Sequence, residues 1–487
     1  MENKWRYRIL TAILLLPLFF INVKDSHDWG DDFAQYLIQA RNIVECRPQT
    51  DNGLLVNEKD PAYAIEAYPV GFPLLITPIY YFSKLNILPY CVLFSIILFI
   101  TGLLSFEFFR KRTNEFTALI ITLLFCYNAS TIDLKKQILS EIPFTCLIIF
   151  ILLWPELKAY RKNKSWIITG LLLAFLVSIR LAGLAVVVGF ILFELNKIRI
   201  KNELKERTAN IRKLLFSLLT AIIFFFLLNE ILFPIKAGGL LGFYSNSFSS
   251  HEIQVSNNLN FYYTVAEFLF PFYGKWIPSS WILIALSGWL IRFIKSPSFC
   301  EYVFPLYSAL IIFYPYTNAG LRFLIPILPL LIFYSGYFIY WLLSLTGEKA
   351  KWISAGVLII TLSAYLSPLM GVISGQSMIE DGPQQKESIE LFSYLKSTPP
   401  TSGVVFCKAR AMSLYSGHPS LYTAKKQSNE EAFVQFHRYK LLYLVIAKVP
   451  PDNEIYDPKL LNFISTYKDK YEHVWENGHF DVYRQRR

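Results

Sequence analysis

Apolar runs separated by short polar segments recur from the N-terminus to about residue 372 and then stop. A helix needs about 20 apolar residues to cross the hydrocarbon core of a bilayer, and runs near that length recur here. Matching each run to the basic loops beside it predicts spans at about 8–24, 89–109, 116–133, 139–156, 213–233, 277–294, 301–316, 322–343 and 351–372. The run 166–195 is too long for one straight span and carries Arg180 in its middle, so it predicts two short helices that meet at Arg180. The path has about eleven transmembrane helices, and the odd number places the two chain ends on opposite sides. The stretch from Phe72 to Phe82 is apolar but short and broken by Pro73 and Pro78. It predicts an interfacial or re-entrant helix, because a span there would force Arg110 to Arg112 to the outer side.

The expected organisation is therefore a polytopic α-helical membrane domain, residues 1–375, whose first outer loop covers about 25–88. A smaller soluble α/β domain, residues 376–487, follows on the same outer side. In that domain Ile389, Phe392 and Leu395 recur at helical spacing within 386–396. Residues 403–407, 441–446 and 480–484 read as strands. His418, in a Ser-Gly-His-Pro turn, reads as a solvated histidine. The first apolar segment lacks a small-x-small cleavage site and reads as a retained span.

Composition sharpens this picture at three points. Of 487 residues, 54% are hydrophobic and only 17% charged, too few charges for a soluble chain of this length. The net charge of +11 does not indicate nucleic acid, because the Lys and Arg residues sit in alternate short loops, as at Arg110-Lys-Arg112 and Lys197 to Lys213. That alternation is the positive-inside pattern and predicts a cytoplasmic N-terminus with the C-terminal domain extracytoplasmic. The style of the loops and the lack of eukaryotic sorting signals suggest a bacterial plasma (inner) membrane. The six cysteines show no metal spacing, and Cys46 with Cys407 is the one pair whose expected placement allows a disulfide.

The candidate chemistry lies on the outer side. Asp28, Asp31 and Asp32 follow the first span, Glu66 precedes a Pro/Gly turn, Asp133 ends the third span and Glu141 opens the fourth. Acids at a membrane boundary are costly unless something uses them. A general base and a divalent cation are the uses that fit. Glu141 also fits a plain helix-capping role, favoured by the dipole. Arg180 lies between apolar helices and Arg322 opens a helix whose dipole it opposes, so each calls for an anion, and a phosphate would serve. The bland alternative for each is snorkelling to lipid headgroups. Acids from separate loops, two arginines and an aromatic rim suit sugar transfer from a lipid phosphate. A transporter or flippase of lipid-linked glycans is the alternative, but it would line a path within the spans rather than gather acids at one face.

These residues resemble the GT-C superfamily of membrane glycosyltransferases, in the branch of the protein O-mannosyltransferases and the lipid A aminoarabinose transferases. The likeness rests on Gly30-Asp-Asp32-Phe-Ala-Gln-Tyr36, on Glu66-Ala-Tyr-Pro69-Val-Gly71-Phe, on Ser140-Glu141-Ile-Pro143 and on Arg322-Phe-Leu-Ile-Pro326-Ile-Leu-Pro329. It implies a polyprenyl-phosphate sugar as donor and a lipid, glycan or protein as acceptor. One of Asp31 and Asp32 would be the catalytic base, and the spacing to Tyr36 aligns either. Arg180 and Arg322 would bind the donor phosphate, Glu66 and Glu141 would lie at a metal or phosphate site, and Tyr36 and Tyr68 would belong to the substrate loop. Where the family has Lys and Pro after the loop glutamate this chain has Ala67 and Tyr68, which leaves both the local phosphate contact and the need for a divalent metal open.

Overall fold

The computed structural model describes residues 2–57, 59, 65–161, 164–200, 203–235, 255–260, 276–314, 321–345, 365–366, 368–374, 381–424 and 427–486. The first helix, α1 (Glu2–Leu15), ends in a 3-10 turn, Leu16–Phe19, because Pro17 supplies no N–H to continue the ladder. The carbonyl of Leu18 is met instead by the buried ammonium of Lys135 at 2.9 Å, which also donates to Ser95 at 3.0 Å. α4 (Leu88–Arg110) runs antiparallel to α1, so that Arg8 pairs with Glu107 at 2.6 Å and a Cβ on Gly102 would meet the side chain of Leu15. Between them in sequence, the first loop forms α2 (Asp31–Val44) and α3 (Gly71–Ser83).

α5 (Glu115–Cys126) and α6 (Ala129–Lys135) replace the expected single span 116–133 and are bent by 55°. Asn128 makes the break stable, because its side-chain oxygen caps the new helix at Ser130 N–H, 3.1 Å away. α7 (Glu141–Leu153) follows, then α8 (Ser165–Ile179) and α9 (Gly183–Ile200), which meet at Arg180 as the length of the run predicted. α10 (Leu204–Phe226) continues into a π-helical turn, Leu227–Leu232. α11 (Trp276–Lys295), α12 (Phe299–Ile312), a 3-10 run from Leu321 to Ile327 and α13 (Leu328–Ser344) complete the helical part.

Among the described residues three helices are long and apolar enough to cross a membrane, Leu88–Arg110, Leu204–Leu232 and Arg322–Ser344, or four if the bent pair α5–α6 is one span. The expected eleven are therefore not reproduced. Hydropathy counts an apolar run as one rod, whereas Pro17 and Asn128 break such runs into shorter pieces. The expected outer loop after span seven falls mostly outside the described residues, and so does the expected span 351–372.

The C-terminal unit is α/β, as expected. Its five-stranded sheet has the order β2-β1-β3-β5-β4, built from β1 (Gly403–Val405), β2 (Ser420–Leu421), β3 (Leu441–Ala447), β4 (Tyr471–Glu476) and β5 (Phe480–Gln485). β2, β1 and β3 are parallel, and β3, β5 and β4 are antiparallel. α14 (Lys386–Lys396) lies where the helical spacing placed it. α15 (Ala409–Ser416), α16 (Asn429–Arg438) and α17 (Pro458–Thr466) were not legible in the spacing. His418 is not solvated. It is buried, with Nδ1 2.7 Å from the Ser402 carbonyl and Nε2 2.8 Å from that of Leu395. Cys46 and Cys407 are both free, so the allowed disulfide is absent.

The first loop is built into this α/β unit. Trp29 is fully buried against the rings of Phe392, Phe406 and Phe480 at 5.9, 5.2 and 6.1 Å, and its indole N–H donates to Asp381 at 2.8 Å. Residues 53–55 add a bridge to the β2 edge, through Ser420 N–H to Gly53 O and Leu55 N–H to Ser420 O, both 2.8 Å. Gly53 is required there. Its φ is +67°, and a Cβ would fall 2.0 Å from Ser413 Oγ. A single hydrophobic core consequently runs from the helical part into the α/β unit.

Gly71 sets how closely α3 approaches α8. A Cβ on it would lie 2.6 Å from the carbonyl carbon of Ser178 and 2.7 Å from the nitrogen of Ile179, both backbone atoms. Gly71→Ala is therefore expected to cost about 1–3 kcal/mol, the usual range for overpacking. Thermal unfolding of the purified protein measures this, and an unchanged midpoint would show that α3 and α8 are not in tight contact.

Candidate active site

α2 starts with Asp31 and Asp32 in its first turn, where the helix dipole favours carboxylates. Successive residues of a helix point about 100° apart, so the two acids face different partners. Asp31 turns toward the α/β unit and accepts the N–H of Ala411 at 3.3 Å. Asp32 turns toward the helical part. Its Oδ2 receives Arg322 Nη2 at 2.6 Å, and its Oδ1 receives the hydroxyl of Tyr68 at 2.7 Å. Tyr36, one turn further along the same face, brings its hydroxyl to 3.3 Å from Ser140 Oγ and packs its ring on Phe72 and Tyr68.

Three other breaks in the helices deliver the remaining groups. Ser140 and Glu141 open α7. Arg180, extended between α8 and α9, donates to Ser140 Oγ at 2.9 Å and places the same nitrogen 2.6 Å from Glu141 Oε1. Arg322, at the start of the 3-10 run, sits between Asp32 and Glu141, with its Nε 3.6 Å from Glu141 Oε1. Phe323 lies beneath both guanidiniums, at 4.8 Å from Arg180 and 5.4 Å from Arg322. Glu141 is 1% exposed, whereas Asp32 and Arg322 keep 29% and 31% of their side-chain surface. Two carboxylates and two guanidiniums thus converge, and the Asp32–Arg322 pair is the accessible part of the cluster.

The loop before α3 is held by backbone contacts. Gln39 accepts the N–H of Tyr68 at 3.0 Å and donates to its carbonyl at 2.9 Å. Asn229, in the π-helical turn, accepts the N–H of Val70 at 3.0 Å and donates to Ser178 Oγ at 2.9 Å. A π-turn advances the chain by one extra residue, and here it aims Asn229 at the Tyr68 loop and at the end of α8 that carries Arg180.

The environment separates the two aspartates. Burial pushes Asp32 up, but the charge of Arg322, the hydrogen bonds from Tyr68 and Arg322 and the charge of Arg410 outweigh it and bring Asp32 down to about 2. For Asp31 burial prevails over the charges of Arg410 and Lys408, and its carboxyl is held above the ordinary value. Burial also lifts the Tyr68 hydroxyl well above the usual phenol range, so it stays protonated and donates to Asp32.

The structure brings Asp32, Tyr36, Tyr68, Glu141, Arg180 and Arg322 into one cluster. It does not bring in all the acids singled out from the sequence. Asp28 pairs with His27 Nδ1 at 2.9 Å, while Ile138 N–H donates to the other ring nitrogen at 3.0 Å. Asp133 pairs with Lys136 at 2.7 Å. Glu66 has an exposed side chain, and it is its backbone carbonyl that binds Gln35 and Asn52, at 3.2 and 2.8 Å. Among the described residues the only His, Cys, Asp or Glu trio at ion-ligating spacing is His473, Glu476 and Asp481, at the surface of the α/β unit. Lys448 already lies 3.6 Å from Glu476 and 3.4 Å from Asp481. Neither Glu66 nor Glu141 belongs to such a group. Sequence reasoning missed Ser140 as a partner of Arg180, Gln39, Asn229 and Arg410. Each is a single polar residue whose role depends on a long-range contact, and no local spacing marks it.

No protein-family profile matches the chain, and no curated protein matches its sequence. Its structure does have relatives. ArnT from Cupriavidus metallidurans bound to undecaprenyl phosphate aligns with a TM-score of 0.59 at 11% identity, over 99% of this chain and 98% of that one. The same protein in the apo state aligns with the same values. The Archaeoglobus fulgidus oligosaccharyltransferase in complex with Zn and sulfate aligns with a TM-score of 0.55 at 15% identity, over 90% of this chain and 67% of that one. The chain shares the overall fold of these proteins.

Because Asp32 lies below its ordinary value in the folded protein, ionising it stabilises the fold. That contribution is complete above about pH 5 and is lost as pH falls through about 4 toward 2. The difference in unfolding midpoint between wild type and Asp32→Asn should accordingly be constant from neutral pH down to about 5 and close below it. A difference independent of pH down to about 3 would show that Asp32 is not paired in this way.

Proposed function

We propose that this chain is an inverting glycosyltransferase that moves a sugar from a polyprenyl-phosphate donor to the hydroxyl of a lipid, glycan or protein. The site would face the extracytoplasmic side of a bacterial plasma membrane, with the chain crossing it about eleven times. The observation that carries this reading is the accessible Asp32 carboxylate set between Tyr68 and Arg322, with Arg180 and Glu141 behind it. An acid poised to take a proton stands beside two cations poised to take a phosphate. The undecaprenyl phosphate bound by the ArnT neighbour supports a donor of that class. The basic loops, with Arg8, Arg110 and Arg112 at the far end of α1 and α4, support the orientation.

In this reading the donor phosphate competes with Asp32 for Arg322. Once the guanidinium turns to the phosphate, Asp32 keeps the Tyr68 hydrogen bond on one oxygen and has the other free. That oxygen accepts the proton of the acceptor hydroxyl, and the acceptor oxygen forms a bond to the anomeric carbon from the face opposite the phosphate. The bond from the anomeric carbon to the phosphate oxygen breaks, and its electron pair leaves with the polyprenyl phosphate, whose charge Arg180 and Arg322 neutralise. Asp31, occupied by Ala411 and turned toward the α/β unit, has a supporting role.

The residues fit a metal poorly. Asp32 and Glu141 each face a guanidinium at 2.6 Å, and an ion shared between them would sit against Arg322. The side chain of Glu66 is exposed. The arginines carry the phosphate charge.

Asp32→Asn is expected to lower turnover by about 10²–10⁴-fold, the usual share of a general base, while undecaprenyl phosphate still binds. Asp31→Asn is expected to lose much less. Consumption of undecaprenyl-phosphate sugars in nanodiscs, followed by mass spectrometry with envelope extract as acceptor source, measures both. Wild-type turnover in Asp32→Asn would remove Asp32 as the base, and abolition of turnover by EDTA would restore a metal to the mechanism.

Arg180→Ala and Arg322→Ala should each weaken undecaprenyl phosphate binding by about 10–100-fold, the worth of one charge-assisted hydrogen bond. Unchanged affinity in either variant would exclude that arginine from the phosphate site.

A further inference from the structure

The α/β unit enters the site through one short helix, α15. Arg410 in its first turn is 4% exposed, and its hydrogen bonds cross to the first loop. Nη1 donates to the Tyr68 hydroxyl oxygen at 3.1 Å and Nη2 to the carbonyl of Ile65 at 2.9 Å, while the guanidinium carbon lies 5.4 Å from the centre of the Tyr68 ring. One residue on, Ala411 N–H holds Asp31.

A phenol has a single proton to give. That proton goes to Asp32, and the phenol oxygen accepts from Arg410. A cation on the accepting side polarises the O–H and strengthens the bond it donates. The Tyr68 backbone is already fixed on both sides by Gln39. The freedom left to the hydroxyl is rotation of the side chain, and the planar fork of Arg410, anchored at Ile65, removes it.

We propose that Arg410 is a positioning residue of the site: it fixes the Tyr68 hydroxyl and through it the orientation of the Asp32 carboxylate, which makes the C-terminal domain part of the machinery rather than a cover over it. What Asp32 then does rests on the glycosyltransferase reading. The link from Arg410 to Asp32 is a property of the ligand-free protein and is tested separately. Its importance is greatest when Arg322 turns to a phosphate, because Tyr68 then holds Asp32 without it. With the Tyr68 hydroxyl removed, or left to rotate away once Arg410 is gone, the second Asp32 oxygen can also engage Arg322, which withholds that arginine from the phosphate.

The experiment uses the protein in nanodiscs, with R410M, R410K, Y68F, R410M/Y68F and D32N, and with D32N added to R410M, Y68F and R410M/Y68F, and has two arms. The first arm needs no ligand. The coupling between R410M and D32N in the thermal midpoint is expected to shrink in the Y68F background, because the connection runs through that hydroxyl. Coupling of the same size in both backgrounds would overturn the proposal. The second arm measures undecaprenyl phosphate binding. R410M and Y68F should each weaken it by about tenfold, the double variant should be no weaker than Y68F alone, and R410K should fall between R410M and wild type. Wild-type binding in R410M, multiplying losses in the double variant, or full binding in R410K would each overturn it, the last because charge alone would then suffice. F463L, in the separate core of the α/β unit, controls for general loosening. If F463L lowers the midpoint as far as R410M and weakens binding equally, the role of Arg410 is merely structural. If wild type binds no undecaprenyl phosphate, the donor reading fails, and the first arm alone decides the role of Arg410.

Discussion

Everything in this molecule turns on how two carboxylates and two guanidiniums are kept together at the end of a bundle of apolar helices. An isolated charge in such surroundings is very costly, and a buried ion pair adds little net stability over an apolar pair of similar size. The cluster survives because it is neutral in sum and shared. Arg322 touches both acids, Glu141 touches both arginines, and Phe323 lies under both guanidiniums. What such an arrangement offers is charge already desolvated and already oriented, which is what binding a phosphate in a poorly hydrated site requires.

The helices are broken where the cluster needs them broken. A continuous helix through residues 165–200 would carry Arg180 along its side, whereas the extended residue between α8 and α9 aims it across at Ser140 and Glu141. The 3-10 run from Leu321 to Ile327 does the same for Arg322. The π-turn at Leu227–Leu232 places Asn229 where it can tie the Tyr68 loop to the end of α8. Gly71 lets that loop pass within backbone contact of Ser178. Such irregularities have a local cost in hydrogen bonding, which side chains offset at several of them: Lys135 at the Leu18 carbonyl, Asn229 at that of Phe225 and Tyr307 at that of Phe323.

The contacts that fasten the α/β unit to the first loop differ in their physics. Trp29 is buried among its aromatic side chains, residues 53–55 extend its sheet edge, and Arg410 with Ala411 reaches the Tyr68 loop and Asp31. Apolar burial and sheet hydrogen bonds set the distance between the two parts, and the polar contacts then operate at fixed geometry. A boundary near residue 375 separates the chain by composition, but the core is continuous across it.

The sequence by itself determined the class of the protein and much of the candidate site. Hydropathy showed a helical membrane part followed by an α/β part. The over-long run around Arg180 showed two helices meeting there, and the order of Asp31-Asp32, Glu66, Glu141 and Arg322 showed the GT-C likeness. These are local properties, carried by the length of apolar runs and by acids or arginines at their ends. The breaks within the helices, the different partners of Asp31 and Asp32, the exposure of the Glu66 side chain and the reach of Arg410 came only from the tertiary structure. Adjacent aspartates are indistinguishable until a helix turns them about 100° apart toward Ala411 and Arg322. Arg410 and Tyr68 are 342 positions apart, and no spacing along the chain encodes a contact that only the docking of the α/β unit onto the first loop creates.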